Sequence, residues 1–266
     1  MSERGGRRPG SGIGGGAYAA TDYESDSTCS EYLAFHYPAE DALTALLGDG
    51  APPQPERYPF GVRAFWEAVP AGVALDVGAA GGRVTADLAR DHRYAVGLDF
   101  SKALMRAAAG VQARCAARYT VVVEGDLRER VEVPVDPFPN AAFCVGDALD
   151  LPFAERLFDT VVGLNLIDRV PDPGHALNEL VRVTRPGGLL ILSSPYTWVD
   201  GFTPKDSWLG GFERGERPVR ASDEIRKRLG ATFVLQREAR MPFFIRHHER
   251  SGQLAVTHVQ SFRRKT

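Results

Sequence analysis

The sequence predicts an α/β fold with a mostly parallel sheet, helices on both faces and an antiparallel C-terminal edge. Three observations lead to this prediction. Short apolar runs alternate with helix-patterned runs between residues 72 and 196, a glycine-rich turn follows the first apolar run, and two long alternating runs close the chain. Alternating strands and helices build parallel sheets, because parallel strands need long crossover connections.

The N-terminal part divides into a tail and a cap. Residues 1–20 contain seven glycines and little to bury, so we expect a disordered tail. Residues 21–266 are expected to form one domain that begins with a helical cap at 21–70. Within that cap, apolar spacing predicts one or two helices between Tyr23 and Leu47, and a further helix over 60–69.

The central part carries the predicted parallel sheet. Its strands are predicted at 72–77, 94–100, 141–148, 158–167 and 189–196, and its helices at 81–89, 101–114 and 175–184. Ser101 is a suitable N-cap for the second of these helices. Ligands of such sheets bind beyond the carboxyl ends of the strands, where every motif described below lies.

Two segments depart from the alternation. Residues 118–136 read as a β-hairpin inserted between a helix and the third strand. Residues 197–266 form a C-terminal extension on the predicted ligand side, with a helix at 222–229 and two antiparallel edge strands at 232–246 and 254–264.

Composition and charge exclude several classes of function. The chain has 266 residues and a net charge of −2, from 32 Lys and Arg against 34 Asp and Glu. It therefore lacks the overall positive charge that would attract nucleic acid or anionic lipid. No apolar run approaches the roughly 18 residues of a membrane span. The three cysteines lie far apart without a CxxC, so we expect no disulfide framework, no metal site and a reducing, cytoplasmic location.

The strongest chemical signal is LDVGAAGG followed by VGLDFS. Asp76, Gly78 and Gly82 lie at a strand-to-helix turn, where glycine admits close approach of a ligand to free backbone amides. Asp99 ends the next strand, where its carboxylate can accept two hydrogen bonds from a ribose diol. A dinucleotide site is disfavoured, because Ala80 and the glycine spacing break the G-x-G-x-x-G pattern.

Further features sharpen this interpretation. Asp147 and Ala148 close the third strand, where an aspartate can accept from an adenine amino group, and Asn165 ends the fourth strand. Together with the glycine turn, Asp99 and the Arg185–Gly188 turn, this ordered set resembles the class I S-adenosylmethionine (SAM)-dependent methyltransferases over residues 60–196. The resemblance implies a Rossmann-like fold that binds SAM and releases S-adenosylhomocysteine.

The resemblance also implies roles for individual residues. Asp76, Gly78, Ala80 and Gly82 would form the turn around the methionine moiety, with Ala80 where the family often has glycine. The remaining cofactor-binding residues would be Asp99 at the ribose, Phe100, Asp147 and Ala148 at the adenine, Asn165 under the methyl-donor end, and Tyr37 at the carboxylate. Arg83 is an alternative partner for that carboxylate.

A narrower resemblance extends beyond this core. Residues 23–37, 193–211 and 241–265, together with the hairpin, resemble the 5-thiohistidine N-methyltransferases of ovothiol biosynthesis over about 23–265. The resemblance implies methylation of the imidazole π nitrogen of 5-thiohistidine, or of its selenium analogue. Many members are C-terminal domains of bifunctional enzymes, so we expect a stand-alone version whose functional partner is an iron-dependent sulfoxide synthase or a selenium-inserting homologue.

The chemistry of such a transfer suggests acceptor-site residues. The acceptor is an amino acid whose carboxylate favours an arginine and whose ring favours aromatic walls. In addition, either some group has to accept a proton from the ring or the site has to favour the thiolate form. We expect acceptor binding by Tyr23, Tyr196, Trp198, Trp208, Arg246 and His247, and catalytic roles for Asn165, Tyr196 and His247. Packing or solvation is the alternative for each, and His258 has no pattern that points to chemistry.

Two other functions are also compatible with the sequence. The first is a SAM-dependent methyltransferase that acts on another small imidazole, thiol or phenol. The second is a non-catalytic SAM-binding partner of a sulfur- or selenium-inserting enzyme.

Overall fold

The computed structural model describes residues 22–39, 44 and 58–266. Its strands are β1 (Val69–Val77), β2 (His92–Asp99), β3 (Ala116–Glu124), β4 (Leu127–Pro134), β5 (Ala141–Val145), β6 (Phe158–Leu164), β7 (Thr184–Ser194), β8 (Phe212–Arg214), β9 (Arg217–Val219), β10 (Phe233–His248) and β11 (Ser251–Arg264). Within these residues, one sheet has the order β10-β11-β7-β6-β1-β2-β5. Strands β7 to β5 are parallel, whereas β11 and β10 are antiparallel, which confirms the predicted α/β fold and its edge.

Helices cover both faces of the sheet. They are α1 (Asp26–His36), α2 (Arg83–Asp91), α3 (Lys102–Arg114), α4 (Pro173–Val183) and α5 (Ala221–Leu229). Leu33 of α1 and Leu88 of α2 belong to the core on one face, here called the α1 face. Leu180 of α4 and Ile225 of α5 belong to the core on the other, the α5 face. All of β6 is buried, as expected for a central parallel strand covered on both sides.

Local sequence explains where several helices begin. Ser101 is the predicted N-cap of α3, and its hydroxyl accepts a hydrogen bond from the amide of Leu104 at 3.1 Å. Asp172 caps α4 in the same way at the amide of His175, at 2.9 Å, with Pro173 in the first turn. These caps orient the connections that leave the carboxyl ends of the strands.

The two antiparallel features position the site. Strands β3 and β4 form the predicted hairpin through a turn at Gly125. Strands β10 and β11 pair over nearly their whole length, but β7 ends at Ser194, opposite His258. Residues 241–257 of this pair therefore project past the carboxyl ends of the parallel strands, and we call them the ribbon.

Some boundaries differ from the sequence expectation. The helix predicted over 60–69 is wrong: Phe60–Phe65 form a 3-10 helix and β1 already begins at Val69. The buried residues Val62 and Phe65 are spaced by three, a spacing that a 3-10 turn satisfies as well as an α-helix does. The strands predicted to reach 148, 167 and 196 end at Val145, Leu164 and Ser194.

Other expectations fall only partly on the described residues. Of the segment from Tyr23 to Leu47, α1 accounts for Asp26–His36, and most of the remainder lies outside the described residues, as does the tail at 1–20. The small hairpin of β8 and β9 was not predicted. In the part of the chain that the structure describes, no helix has the length and apolar character needed to cross a membrane.

Candidate cofactor and acceptor site

The turn between β1 and α2 has a left-handed backbone at Gly78 (φ 79°), Ala80 (φ 45°) and Gly82 (φ 80°). A Cβ on Gly82 would lie 2.8 Å from the ring of Phe143, and one on Gly78 would lie 3.3 Å from Cδ1 of Leu166. Gly82 is thus required both for its backbone conformation and for space. Ala80 adopts the left-handed region at a cost of roughly 1–2 kcal/mol. The turn presents the free amides at the start of α2 to the crevice.

Asp99 ties this turn to the next connection. One carboxylate oxygen accepts from the amide of Ala80 at 3.0 Å, and the other accepts from the amide of Ser101 at 3.0 Å. Burial raises the pKa of Asp99, while these backbone hydrogen bonds act in the opposite direction. The remaining lone pairs are available to a ribose diol at the carboxyl end of β2.

Asp76 braces the turn from beneath. It is buried at the end of β1, and its carboxylate accepts from the hydroxyl of Thr85 in α2 at 2.7 Å. Burial raises the pKa of Asp76 to about 7, which the Thr85 hydrogen bond only partly offsets. Asp76 therefore joins β1 to α2 behind the amides that face the crevice.

This raised pKa predicts a pH-dependent stability. The folded state holds the Asp76 proton more tightly than the unfolded state, so this group's stabilisation is greatest below about pH 4 and is lost as the pH rises towards 7. The Asp76→Asn variant should lose that slope, because asparagine still accepts from Thr85 but does not ionise. Urea unfolding of both proteins at pH 5.0 and 7.5 measures the difference. An equal gap between them at the two pH values would contradict the assignment.

The ends of β2 and β5 form the predicted adenine side. Phe100 is 65% exposed, directly after Asp99. Asp147 is exposed and accepts from the amide of Leu149 at 2.8 Å, while Ala148 is buried beside it. An exposed aromatic ring on one strand end and a carboxylate on the neighbouring end suit a flat base that carries an amino group.

The segment before α1 lies across this side of the crevice. The ring centroid of Tyr23 lies 6.2 Å from those of Phe100 and Phe202 and 6.0 Å from that of Tyr32. The carbonyl of Tyr23 accepts from the Ser101 hydroxyl at 2.8 Å. Tyr23 therefore links the adenine side to the loop after β7, as part of a roof.

Glu24 anchors that roof on the first turn of α3. Its carboxylate accepts from the amides of Lys102 at 2.9 Å and Ala103 at 3.3 Å, two of the unpaired donors at the helix start. Sequence reasoning missed Glu24 and Phe202, because their partners lie far away along the chain and no local pattern marks them.

Loss of this anchor should speed cofactor release. The Glu24→Ala variant is expected to release S-adenosylhomocysteine about fivefold faster, as follows from a capping contribution of about 1 kcal/mol. Stopped-flow dissociation measures the rate. Asp26→Ala is the control, since Asp26 is an acidic residue of the same segment that lies in the first turn of α1 itself. Equal release from the two variants would remove the proposed anchoring role.

Two orphaned polar atoms lie beside the glycine turn. Among the described residues, the Tyr37 hydroxyl and Nδ1 of His36 are buried without a hydrogen-bond partner. A Cβ on Gly81 would lie 3.0 Å from His36 Nδ1. Burial lowers the pKa of His36 to about 3 and raises that of Tyr37. Arg83, the alternative partner for a cofactor carboxylate, instead pairs with Asp87 at 2.9 Å.

Asn165 lies between the glycine turn and the ribbon. It follows β6 with a left-handed backbone (φ 49°), and the next residue, Leu166, packs against Gly78. Its side-chain carbonyl accepts from the hydroxyl of Thr257 at the base of the ribbon, at 2.7 Å. The structure therefore places Asn165 where the cofactor turn meets the C-terminal extension.

The predicted aromatic wall lies on the α5 face. The Tyr196 hydroxyl is 3.3 Å from Nδ1 of His258, whose Nε2 is 3.1 Å from the Glu238 carboxylate. Neighbouring residues of a strand point to opposite faces, so His258 lies across β11 from Thr257. The structure thus directs the Tyr196 hydroxyl away from the Asn165 side.

The two tryptophans pack against each other near this wall. The rings of Trp198 and Trp208 stack with centroids 6.0 Å apart, and the indole nitrogen of Trp208 donates to the carbonyl of Thr203 at 2.8 Å. Tyr196 and Trp198 both pack on the core of the α5 face. These contacts shape the loop after β7 that carries Phe202.

Arg246 and His247 lie near the tip of the ribbon. Nε of Arg246 donates to the carbonyl of His248 at 3.3 Å. His247 is about half exposed, and its Nδ1 lies 3.3 Å from the Glu31 carboxylate of α1. His247 therefore joins the ribbon to α1. In the described residues, no group of three or more His, Cys, Asp or Glu side chains is arranged to hold a metal ion.

Comparison with known proteins agrees with this geometry. Residues 75–192 match the family described as methyltransferase domain. An uncharacterized methyltransferase of Mycobacterium sp. (strain KMS) is 37% identical over 105 residues, which cover 38% of this chain and 40% of the relative. A demethylmenaquinone methyltransferase of Beutenbergia cavernae is 34% identical over 119 residues, covering 45% of this chain and 39% of the relative. The chain thus spans less than half the length of these curated relatives.

Solved structures share the fold. A SAM-dependent methyltransferase from Methanosarcina mazei has a TM-score of 0.53 at 17% identity, covering 78% of this chain and 98% of its own. The [4+2]-cyclase SpnF has a TM-score of 0.51 at 16% identity, covering 77% and 80%.

Residues 75–192 therefore resemble a methyltransferase domain, in a fold that is shared with a SAM-dependent methyltransferase. SAM is the cofactor that this match and this fold imply. The described residues fit that molecule. Asp99 suits the ribose, Phe100 and Asp147 suit the adenine, and the orphaned atoms of His36 and Tyr37 lie beside the turn expected to hold the methionine moiety.

Proposed function

We propose that this chain is an N-methyltransferase that uses SAM to methylate the imidazole π nitrogen of 5-thiohistidine, or of its selenium analogue. One observation carries the proposal: three segments that resemble the ovothiol family lie far apart in the sequence but contact one another in the fold, at Tyr23 and Phe202 and at Phe35 and Phe243. The segments are residues 23–37, 193–211 and 241–265. We also propose that an iron-dependent sulfoxide synthase or a selenium-inserting homologue supplies the acceptor.

Contacts between these segments support the proposal. The ring of Phe35 on α1 lies 6.0 Å from that of Phe243 on the ribbon, and Tyr58 lies 5.7 Å from both rings. These rings belong to the core of the α1 face and hold α1 against the ribbon.

The proposed reaction is an in-line displacement. Bound SAM supplies an electrophilic methyl group on a sulfonium centre. The protein aligns the acceptor nitrogen with that methyl group and excludes water, since alignment accounts for much of the rate of such transfers. The roof of Tyr23 and Phe202 supports exclusion of water, and Asn165 supports alignment from below.

Other residues are proposed to hold the amino-acid end of the acceptor. Arg246 on the ribbon is the proposed partner of the acceptor carboxylate, because a guanidinium binds carboxylates in a bidentate way. His247 is proposed to support this end through its contact with Glu31 on α1. We propose no role for the Tyr196 hydroxyl as a base, since His258 holds it on the opposite face.

An acceptor panel tests the proposal. Purified protein and SAM are incubated with 5-thiohistidine, histidine, a simple thiol and a phenol, and the products are identified by mass spectrometry and NMR. We expect a methyl group on the π nitrogen of 5-thiohistidine only. Equal methylation of histidine would overturn the narrow assignment. Tight binding of S-adenosylhomocysteine without product from any acceptor would indicate a SAM-binding protein without catalysis.

A further inference from the structure

The orientation of the Asn165 side chain is fixed by two buried hydroxyls. Its Oδ1 accepts from the Ser193 hydroxyl at 3.0 Å and from the Thr257 hydroxyl at 2.7 Å. Ser193 is 2% exposed and Thr257 is 0% exposed, so water does not compete for either bond. The two hydroxyls come from β7 and β11, on neighbouring strands of the sheet.

The hydrogen bonds around Ser193 decide which end of the amide faces outward. The Ser193 oxygen accepts from the backbone amide of Asn165 at 3.1 Å, so its single hydrogen remains for Oδ1. The carbonyl end of Asn165 is therefore turned into the protein. Among the described residues, Nδ2 has no hydrogen-bond partner, and it is not among the buried atoms left without one. Asn165 thus presents a donor at the carboxyl end of β6.

A donor at this position has a specific consequence for the acceptor. A donor aimed at the reacting nitrogen would occupy its lone pair and oppose transfer. A donor aimed at an anionic sulfur next to that nitrogen stabilises the thiolate form, in which one ring nitrogen keeps a free lone pair.

We propose that Ser193 and Thr257 are positioning residues that turn the Nδ2 of Asn165 towards the acceptor's thiolate or selenolate, so that the acceptor reacts as an anion. This inference rests on the proposed function. Asn165 thereby recognises the sulfur or selenium atom, and Ser193 of β7 and Thr257 of the C-terminal extension orient Asn165.

The reaction balances without a protein base. The lone pair of the ring nitrogen forms the new N–C bond as the S–C bond of the sulfonium breaks, and the electron pair stays on the donor sulfur. Before the transfer, the mercaptoimidazole group of the acceptor carries one negative charge and the sulfonium carries one positive charge. After the transfer, the methylated mercaptoimidazole group and the thioether are both neutral. No proton therefore leaves during the transfer. This fits the placement of His247 and Tyr196, whose side chains are engaged elsewhere.

Substitution of Asn165 separates this role from a structural one. Asn165→Asp keeps an oxygen acceptor for Ser193 and Thr257 and tolerates the left-handed backbone, but it places a carboxylate where the donor was. Asn165→Gly removes the side chain without backbone strain. We expect kcat/KM for 5-thiohistidine to fall roughly tenfold or more in the glycine variant, as for loss of a hydrogen bond to a charged group, and further in the aspartate variant. A structural role predicts the reverse order, with aspartate close to wild type.

The positioning residues have their own test. Thr257→Val and Ser193→Ala should each lower kcat/KM for the acceptor roughly fivefold, the size of one neutral hydrogen bond, while the KM for SAM stays within about twofold. Thr184→Val is the matched control, because Thr184 is also fully buried and donates to a carbonyl at 2.7 Å, at the opposite end of β7.

A spectroscopic readout distinguishes failure of this inference from failure of the proposed function. Thione and thiolate forms of a mercaptoimidazole absorb differently in the ultraviolet. With S-adenosylhomocysteine bound, wild-type protein should hold 5-thiohistidine as the thiolate, and Thr257→Val should shift it towards the thione. Suppose that the wild type methylates the acceptor, but that the bound acceptor does not show the thiolate spectrum and Asn165→Asp is not less active than Asn165→Gly. In that case only this inference is overturned. If wild type neither binds nor methylates it, both fall.

Discussion

Replacement of Asp99 by alanine is expected to weaken binding of S-adenosylhomocysteine roughly ten- to hundredfold, or about 1.5–3 kcal/mol. The variant loses the charge-assisted partner of the ribose diol. It also leaves the amides of Ala80 and Ser101 without the acceptor that joins them, so the glycine turn is less well held. Isothermal titration calorimetry measures the change.

Asp150→Ala is the control for the Asp99 experiment, since Asp150 is an exposed carboxylate near the adenine side with no role assigned to it. A melting temperature measured beside each titration separates loss of binding from loss of fold. Unchanged affinity in Asp99→Ala would exclude Asp99 from the cofactor site and, with it, the placement of the ribose.

The second large effect is expected from Gly82→Ala. The new methyl group would lie 2.8 Å from the ring of Phe143 and 2.9 Å from Cβ of Ala108, in a backbone conformation with φ 80°. The left-handed backbone costs roughly 1–2 kcal/mol, and overpacking adds about 1–3 kcal/mol. Chemical unfolding should show a loss of about 2–5 kcal/mol, and cofactor affinity should fall with it.

Gly125→Ala is the matched control, because Gly125 also has a positive φ (54°) but has nothing within 4 Å of the added methyl group. The difference between the two variants isolates the steric part of the effect. Equal losses in both would mean that contact with Phe143 does not restrict this turn.

Much of the cofactor side is readable from residues that are close together in the sequence. Gly78, Gly82 and Asp99 are marked by their positions after apolar runs, and the structure brings them together at adjacent strand ends. Parallel topology explains this proximity, since consecutive strands place their carboxyl ends side by side. The N-cap role of Ser101 is likewise local and was predicted.

The acceptor side depends on contacts between distant segments. Tyr196 follows a strand end just as Asn165 does, yet its hydroxyl is directed to His258 on the other face. His258 showed no pattern of interest, because its partners Tyr196 and Glu238 come from a different loop and a different strand. Glu24 and Thr257 act at positions 78 and 92 residues away from their partners, which no local pattern reveals.

By itself, the sequence determined the α/β alternation, the glycine turn and the carboxylate after β2, because periodicity and local turn chemistry encode them. Only the tertiary structure decided which face each side chain of the C-terminal extension occupies, and therefore that Thr257 contacts Asn165 while His258 contacts Tyr196. The physical reason is that strand pairing sets this register. The pairing of β11 with β7 places Ser194 opposite His258, and a shift by one residue would exchange the two faces.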